Sequence, residues 1–209
     1  MESVTTSLVA FTAAASLLTV APGLDMALVL RTAATEGPRR AAVASLGIAI
    51  GCFGWATAVA LGLGALLAAS EFAYAVLRWI GAAYLVWIGY KMLRYPRRAV
   101  LIAEHSARGG RAAFARGVLT NLLNPKVGIF YVSFLPQFVP DGASVAPYIL
   151  LLGAIHATLG LVWFACLITA THPLTRFLGR PAVVQSMDRL TGGLFLAFGV
   201  GLALQSRRS

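Results

Sequence analysis

Residues 142–175 run for 34 positions without an Asp, Glu, Lys or Arg, and residues 41–70 do the same for 30. A helix of roughly 20 apolar residues crosses a hydrocarbon core of about 30 Å, so either run is long enough. The whole chain is 59% apolar and only 11% charged, whereas a soluble domain carries about a quarter charged residues. The chain therefore reads as an integral membrane protein.

Six spans follow from the apolar pattern, near 7–30, 41–69, 72–93, 115–139, 143–171 and 190–205. The first is interrupted by Pro22-Gly23 and the fourth by Asn124-Pro125. The single long polar connection, about 94–113, is rich in Arg and Gly. No segment reads as a soluble domain. The N-terminus opens Met1-Glu2 without a basic stretch and leads into further spans, unlike a cleaved signal peptide. The expected architecture is all-α, a polytopic membrane protein forming one domain over 1–209.

The net charge of +10 raises the question of a nucleic-acid partner. The position of the charges answers it. Arg31, Arg39 and Arg40 follow the first span; Lys91, Arg94, Arg97, Arg98, Arg108, Arg111 and Arg116 surround the third connection; Arg176, Arg180 and Arg189 precede the last span. Only Arg78, Arg207 and Arg208 fall on the opposite side. Such an asymmetry orients a membrane protein with its basic loops in the cytoplasm, here with both termini outside. No nucleic-acid motif accompanies the charge, so no nucleic-acid partner is expected.

The halves also resemble each other. Arg78-Trp-Ile-Gly81-Ala-Ala-Tyr-Leu85 aligns with Arg189-Leu-Thr-Gly192-Gly-Leu-Phe-Leu196 at an offset of 111, and Pro22 aligns with Pro125 at 103. A three-helix unit reverses direction across the bilayer, so two copies make inverted repeats, with sites expected where they meet near the midplane. The repeats are expected over about 1–95 and 114–209, joined by the basic cytoplasmic loop. Chance matching of Gly- and Leu-rich helices is the alternative.

Two charged residues lie deep in spans. Lys126 is ten residues beyond Arg116, about 15 Å at roughly 1.5 Å per residue, and Asp25 is about 9 Å from Arg31 by the same measure. Intramembrane charges are costly and mark a pathway or a relay; the alternative is a fold-specifying Asp25–Lys126 pair. Asn124-Pro125 has the form of a helix N-cap followed by Pro at the first position. A helix restarting in mid-membrane presents N–H groups and a positive dipole end to an anion, with Lys126 adding a full charge. Beside Pro22-Gly23, Asp25 suits an ammonium or a proton. Broken backbone at this depth is tolerated only where it is buried in protein or lines a cavity; a plain proline kink is the other reading of each break.

The remaining candidates read as structure. Gly47 and Gly51 make a small-xxx-small packing face, and Trp79, Tyr84, Trp87 and Tyr90 are interfacial or packing aromatics. Cys52 and Cys166 are small packing residues with no disulfide framework around them. His156, in mid-span, reads as a core histidine more readily than as a proton relay. His105 and His172 stand in no metal-ligand spacing. The sequence contains no G-x-x-x-x-G-K-[ST], H-E-x-x-H or G-x-S-x-G, so pumping would draw on a gradient, and no enzyme, cofactor or metal is expected.

Phe114-Ala-Arg-Gly-Val-Leu-Thr-Asn-Leu-Leu-Asn-Pro-Lys126, continuing to Phe134-Leu-Pro-Gln-Phe138, resembles the lysine exporter and homoserine/threonine resistance (LysE/RhtB) family. So do Pro22-Gly23-Leu24-Asp25 with Gly37, Arg39, Gly47 and Gly51, the third span from Trp79 to Gly89, and Arg189-Leu-Thr-Gly192 to Gly199. The resemblance implies a bacterial inner-membrane carrier that exports amino acids or derivatives, driven by the proton motive force. Its motif positions here are Pro22, Gly23, Asp25, Asn121, Asn124, Pro125 and Lys126, which become the candidate substrate site. Asn121, one turn before Asn124, would face the same cavity. Ala21 and Leu24 depart from the family's Thr-Pro-Gly-Pro opening, so the resemblance carries a class of solute rather than one compound. The expected partners are a small amino compound, protons, the lipid bilayer and, compatible with the pattern, a second copy in a homo-oligomer. The competing reading is a membrane structural or regulatory protein that keeps the exporter fold without transport.

The basic asymmetry generates a direct expectation. In a background lacking Cys52 and Cys166, Gly109→Cys and Gly142→Cys should label from opposite faces, Gly109→Cys only once the cytoplasmic side is opened. Labelling of Gly109→Cys in intact cells by an impermeant thiol reagent would reverse the topology.

Overall fold

The computed structural model describes residues 4–69, 71–96, 109–170 and 180–204. Most of the basic connection, with His105, and the stretch containing His172 and Arg176 lie outside these residues, as do Gln205, Arg207 and Arg208. The described residues form helices joined by short connections, with no strand among them. They form α1 (Val4–Val20), α2 (Leu24–Glu36), α3 (Pro38–Ala69), α4 (Glu71–Arg94), α5 (Gly110–Leu122), α6 (Pro125–Ile129), α7 (Val145–Thr169) and α8 (Pro181–Leu204). Behind α6 the chain continues as a π-turn, Phe130–Phe134, and a 3-10 turn, Leu135–Phe138.

Each interruption has a local cause. Pro22 has no N–H to give the preceding turn and biases Ala21 away from helical geometry, so α1 stops there. Gly23 is extended and the chain resumes as α2, bent by 51° from α1. At the second break the Asn124 side chain accepts from the Lys126 N–H at 3.1 Å and Pro125 takes the first helical position. The segments on either side of it bend by 54°. Pro136 then cannot donate to the carbonyl four residues back, and the ladder around it slackens to π and tightens to 3-10 geometry. Gly37, at φ 91, turns the chain from α2 into α3.

Pro38–Gly62 and Val145–Thr169 are each long and apolar enough to cross a membrane. Each bent pair passes the same test taken as one span, giving two to four candidate spans among the described residues. The expected breaks fall where the sequence places them, but several ends differ. α2 runs on to Glu36 and α5 begins at Gly110, and α8 begins at Pro181 rather than 190. Asp188 and Arg189, which read as a span boundary, lie two turns inside α8, with Asp188 only 1% exposed.

Packing is organised around α3, which lies between α5 and α7, while α4 and α8 pair with each other. An aromatic layer fastens the second broken segment to its neighbours: Phe138 meets Phe11 of α1 edge-on at 5.4 Å, and Phe134 meets Phe198 of α8 at 4.2 Å. The Ser7 hydroxyl donates to the Phe138 carbonyl and accepts from Tyr148 at 3.1 Å, joining α1, the 3-10 turn and α7. Where the charge-poor segments end, Arg116 of α5 bonds Glu36 of α2 at 2.7 Å, with Arg40 at 3.6 Å from the same carboxylate.

The α3–α5 crossing is a backbone-to-backbone contact. A Cβ on Gly47 would strike the Phe114 carbonyl oxygen, and one on Gly117 would strike the Ala44 carbonyl and sit 3.0 Å from the Ile48 nitrogen. Small residues permit this approach. Gly117→Val should lower thermal stability in detergent by about 1–3 kcal/mol or more. Gly193→Val, where a Cβ meets nothing within 4 Å, serves as comparator. Equal melting of the two variants would contradict the crossing.

Candidate functional site

A helix ends with four carbonyls that have no partner in the helix, and its C-terminus carries partial negative charge. At the end of α1 these demands are met from the other break. The Lys126 ammonium donates to the carbonyls of Leu18 at 2.9 Å and Ala21 at 2.8 Å. A Cβ on Gly23 would lie 3.5 Å from the same nitrogen, so Gly23 stands directly against the cation. Pro22 is buried beside it.

Asp25 occupies the first turn of α2, where the helix dipole favours an acid. The Asn121 amide donates to Asp25 Oδ2 at 2.9 Å and points to Cys52 Sγ at 3.5 Å. The Asn124 side chain adjoins the same carboxylate, and the Lys126 charge acts on it. Asp25 Oδ1 is buried and makes no hydrogen bond of good geometry. Buried acceptors are normally paired, and one left open on a carboxylate suits a donor brought by a ligand.

Asn121 itself is fully buried. A Cβ on Gly51 would come within 2.6 Å of its Oδ1, so the absent side chain at Gly51 is what admits Asn121 against α3. Its backbone carbonyl accepts from the Trp55 indole at 3.4 Å, and the Trp55 ring fits only because residue 128 is glycine, whose Cβ would lie 2.7 Å from it.

Asp25, Asn124, Lys126, Cys52 and His156 line one cavity of about 50 Å³, whose wall also includes apolar groups such as Phe164. That is room for a few waters at about 10–15 Å³ each. An amino acid would fit only if the walls part. Of the seven residues expected at the site, Gly23, Asp25, Asn124 and Lys126 line this cavity. Pro22 and Pro125 set the breaks. Asn121 is not part of the wall; it braces Asp25 from behind.

The N–H groups after Pro125 are not open donors. Lys126 N–H bonds the Asn124 side chain, while Val127 and Gly128 bond the Asn124 carbonyl at 3.1 and 3.0 Å. Positive charge at this break therefore reaches the cavity through Lys126 and the dipole. Sequence reasoning assigned Cys52 and His156 to packing and passed over Tyr131. Their one signal was His156, a lone imidazole in the long charge-free run.

The model of the LysE type translocator family matches residues 16–206. An uncharacterized membrane protein of Vibrio cholerae is 32% identical over 196 residues, covering 93% of this chain and 95% of the relative. The homoserine/homoserine lactone efflux protein of Salmonella typhi is 29% identical over 197 residues, 93% of this chain and 94% of the relative. The threonine efflux protein of the same organism is 30% identical over 190 residues, 88% and 91%. No solved structure matches. A broken-helix membrane protein whose likeness to translocators runs through both breaks and nearly its full length is a transporter rather than an enzyme, and the chain belongs to the LysE type translocator family.

Proposed function

We propose that this chain is a secondary-active exporter of amino acids or amino-acid derivatives across the bacterial inner membrane, driven by the proton motive force. In this reading six spans form one domain of two inverted three-helix repeats, with the first and fourth spans broken and both termini periplasmic. The pairing of α3 with α7 and of α4 with α8 supports the repeat, since a pseudo-two-fold axis brings equivalent helices together. The efflux relatives support the solute class.

The observation that carries the reading is the pair of opposite charges on one small cavity. The open acceptor of Asp25 matches an α-ammonium, and Lys126 matches a carboxylate. A zwitterion would bridge them, with Pro22, Gly23 and Pro125 shaping the breaks, Asn124 capping the second, and Asn121 holding the Asp25 carboxylate. The alternative is a non-transporting membrane protein in which Lys126 and Asp25 only hold the breaks together.

Expression should lower the cytoplasmic pool of at least one amino compound, and an uncoupler should cancel the effect. Losing one partner of a desolvated charge pair lowers affinity on the order of a hundredfold. Lys126→Ala and Asp25→Asn should each abolish that export with protein still in the membrane. A purely structural ion pair predicts recovery when both charges are removed, because a matched neutral pair can be as stable as the ionic one. Full export by the double variant, or no changed amino compound in a broad metabolite comparison, would contradict the reading.

A further inference from the structure

His156 is buried at 6% exposure in the middle of α7 and lines the same cavity as Asp25 and Lys126. Its ring is held on two sides. Nδ1 lies 3.0 Å from the Tyr131 hydroxyl, and the Phe130 ring packs at 5.2 Å. Tyr131 is fully buried, and the Cys52 sulfur on the same cavity faces the Asn121 amide that grips Asp25. Two short sets of polar contacts therefore flank the cavity, Asp25–Asn121–Cys52 at its acid and Tyr131–His156 at its imidazole.

We propose that His156 is the proton-carrying group of this transporter, positioned by Tyr131, and that its proton competes with the substrate's ammonium for Asp25. The inference rests on the exporter reading and assigns its coupling site. Among the described residues, Tyr131 and Lys126 of the second broken segment act on the ring directly, Asp25 of α2 and Cys52 of α3 share its cavity wall, and α1 brings no titratable group. One anion therefore faces two potential cations. With His156 neutral, Lys126 and Asp25 balance, and a zwitterion adds no net charge. A proton on His156 puts a second fixed cation beside Lys126 in a cavity of about 50 Å³. That cation and the substrate's ammonium have one carboxylate between them, so loading either expels the other.

The proton step is simple. In the tautomer with Nδ1–H donating to the Tyr131 oxygen, Nε2 keeps its lone pair. Nε2 binds one proton when the cavity opens outward and returns the same proton when it opens to the cytoplasm. Only that N–H bond forms and breaks.

The test uses everted membrane vesicles and, as probe, a mixture of the twenty standard amino acids with homoserine. Gradient-driven accumulation and gradient-free exchange are read separately. The wild type should show both for at least one compound. His156→Gln should lose at least about tenfold more accumulation than exchange. Tyr131→Phe should shift the pH profile of accumulation. Accumulation by His156→Gln at the wild-type level, or proportional loss of both activities at equal membrane amount, would overturn the proposal. If His156→Gln fails to reach the membrane, an unchanged pH profile in Tyr131→Phe overturns it. A wild type that exchanges but ignores the gradient instead sinks proton coupling itself, and one that does neither sinks the exporter reading; the inference falls with each.

Discussion

The Lys126 ammonium against the last carbonyls of α1 is the contact on which the rest of the site depends. A helix end in the middle of an apolar segment has no water to bond its carbonyls, and each one left unpaired is expensive. Here two of them, on Leu18 and Ala21, are served by a cation from the other broken segment. That cation would be equally costly to bury alone. The two liabilities cancel only if the breaks meet, so the same contact that permits the interruptions also fixes their distance. A break at Pro22-Gly23 without Lys126, or Lys126 without the break, would be a buried polar group with no answer.

The second requirement is close approach. Asn121 reaches Asp25 because α3 and α5 touch through Gly47, Gly51 and Gly117. Helices separated by ordinary side chains would leave Asp25 without its brace. Further along, Trp55 reaches over Gly128 to add a bond to the Asn121 carbonyl, which already accepts from the Asn124 N–H at 3.1 Å. Packing of small residues and satisfaction of broken backbone are thus one problem solved by one set of contacts. The cavity, with its acid and its cation, is the space left at their junction.

Much of this was legible in the residues. Pro22-Gly23 and Asn124-Pro125 announce interruptions by local chemistry, and both occur. Asp25 and Lys126 stand out because charge in a long apolar run is expensive, and they line one cavity. What spacing could not convey was contact between helices distant in sequence. The offset from Asn124 puts Asn121 on the cavity, yet Asn121 lies outside its wall and donates to Asp25 instead. Cys52 and His156 look like packing residues, and Tyr131 carries no signal in the sequence, until the neighbouring segments are brought together. The start of α8 was misjudged because Asp188 and Arg189 resemble a loop while Asp188 is buried within the helix. The Ala21 and Leu24 departures also acquire a reason. Ala21 meets Lys126 through its backbone carbonyl, which any residue supplies, and Leu24 is a partly exposed first residue of α2.

The central claim is that the two breaks form one site with opposite charges at its ends. Thermal stabilisation of the purified protein by the compound it exports, compared with the decarboxylated and the deaminated analogue of that compound, addresses it directly. A ligand that binds only the folded state raises its stability by mass action, so the size of the shift reports affinity. The account predicts that removing either charged end weakens binding on the order of a hundredfold, each by a similar amount. Equal stabilisation by the parent compound and either analogue would mean that Asp25 and Lys126 do not share a ligand, and would contradict the account.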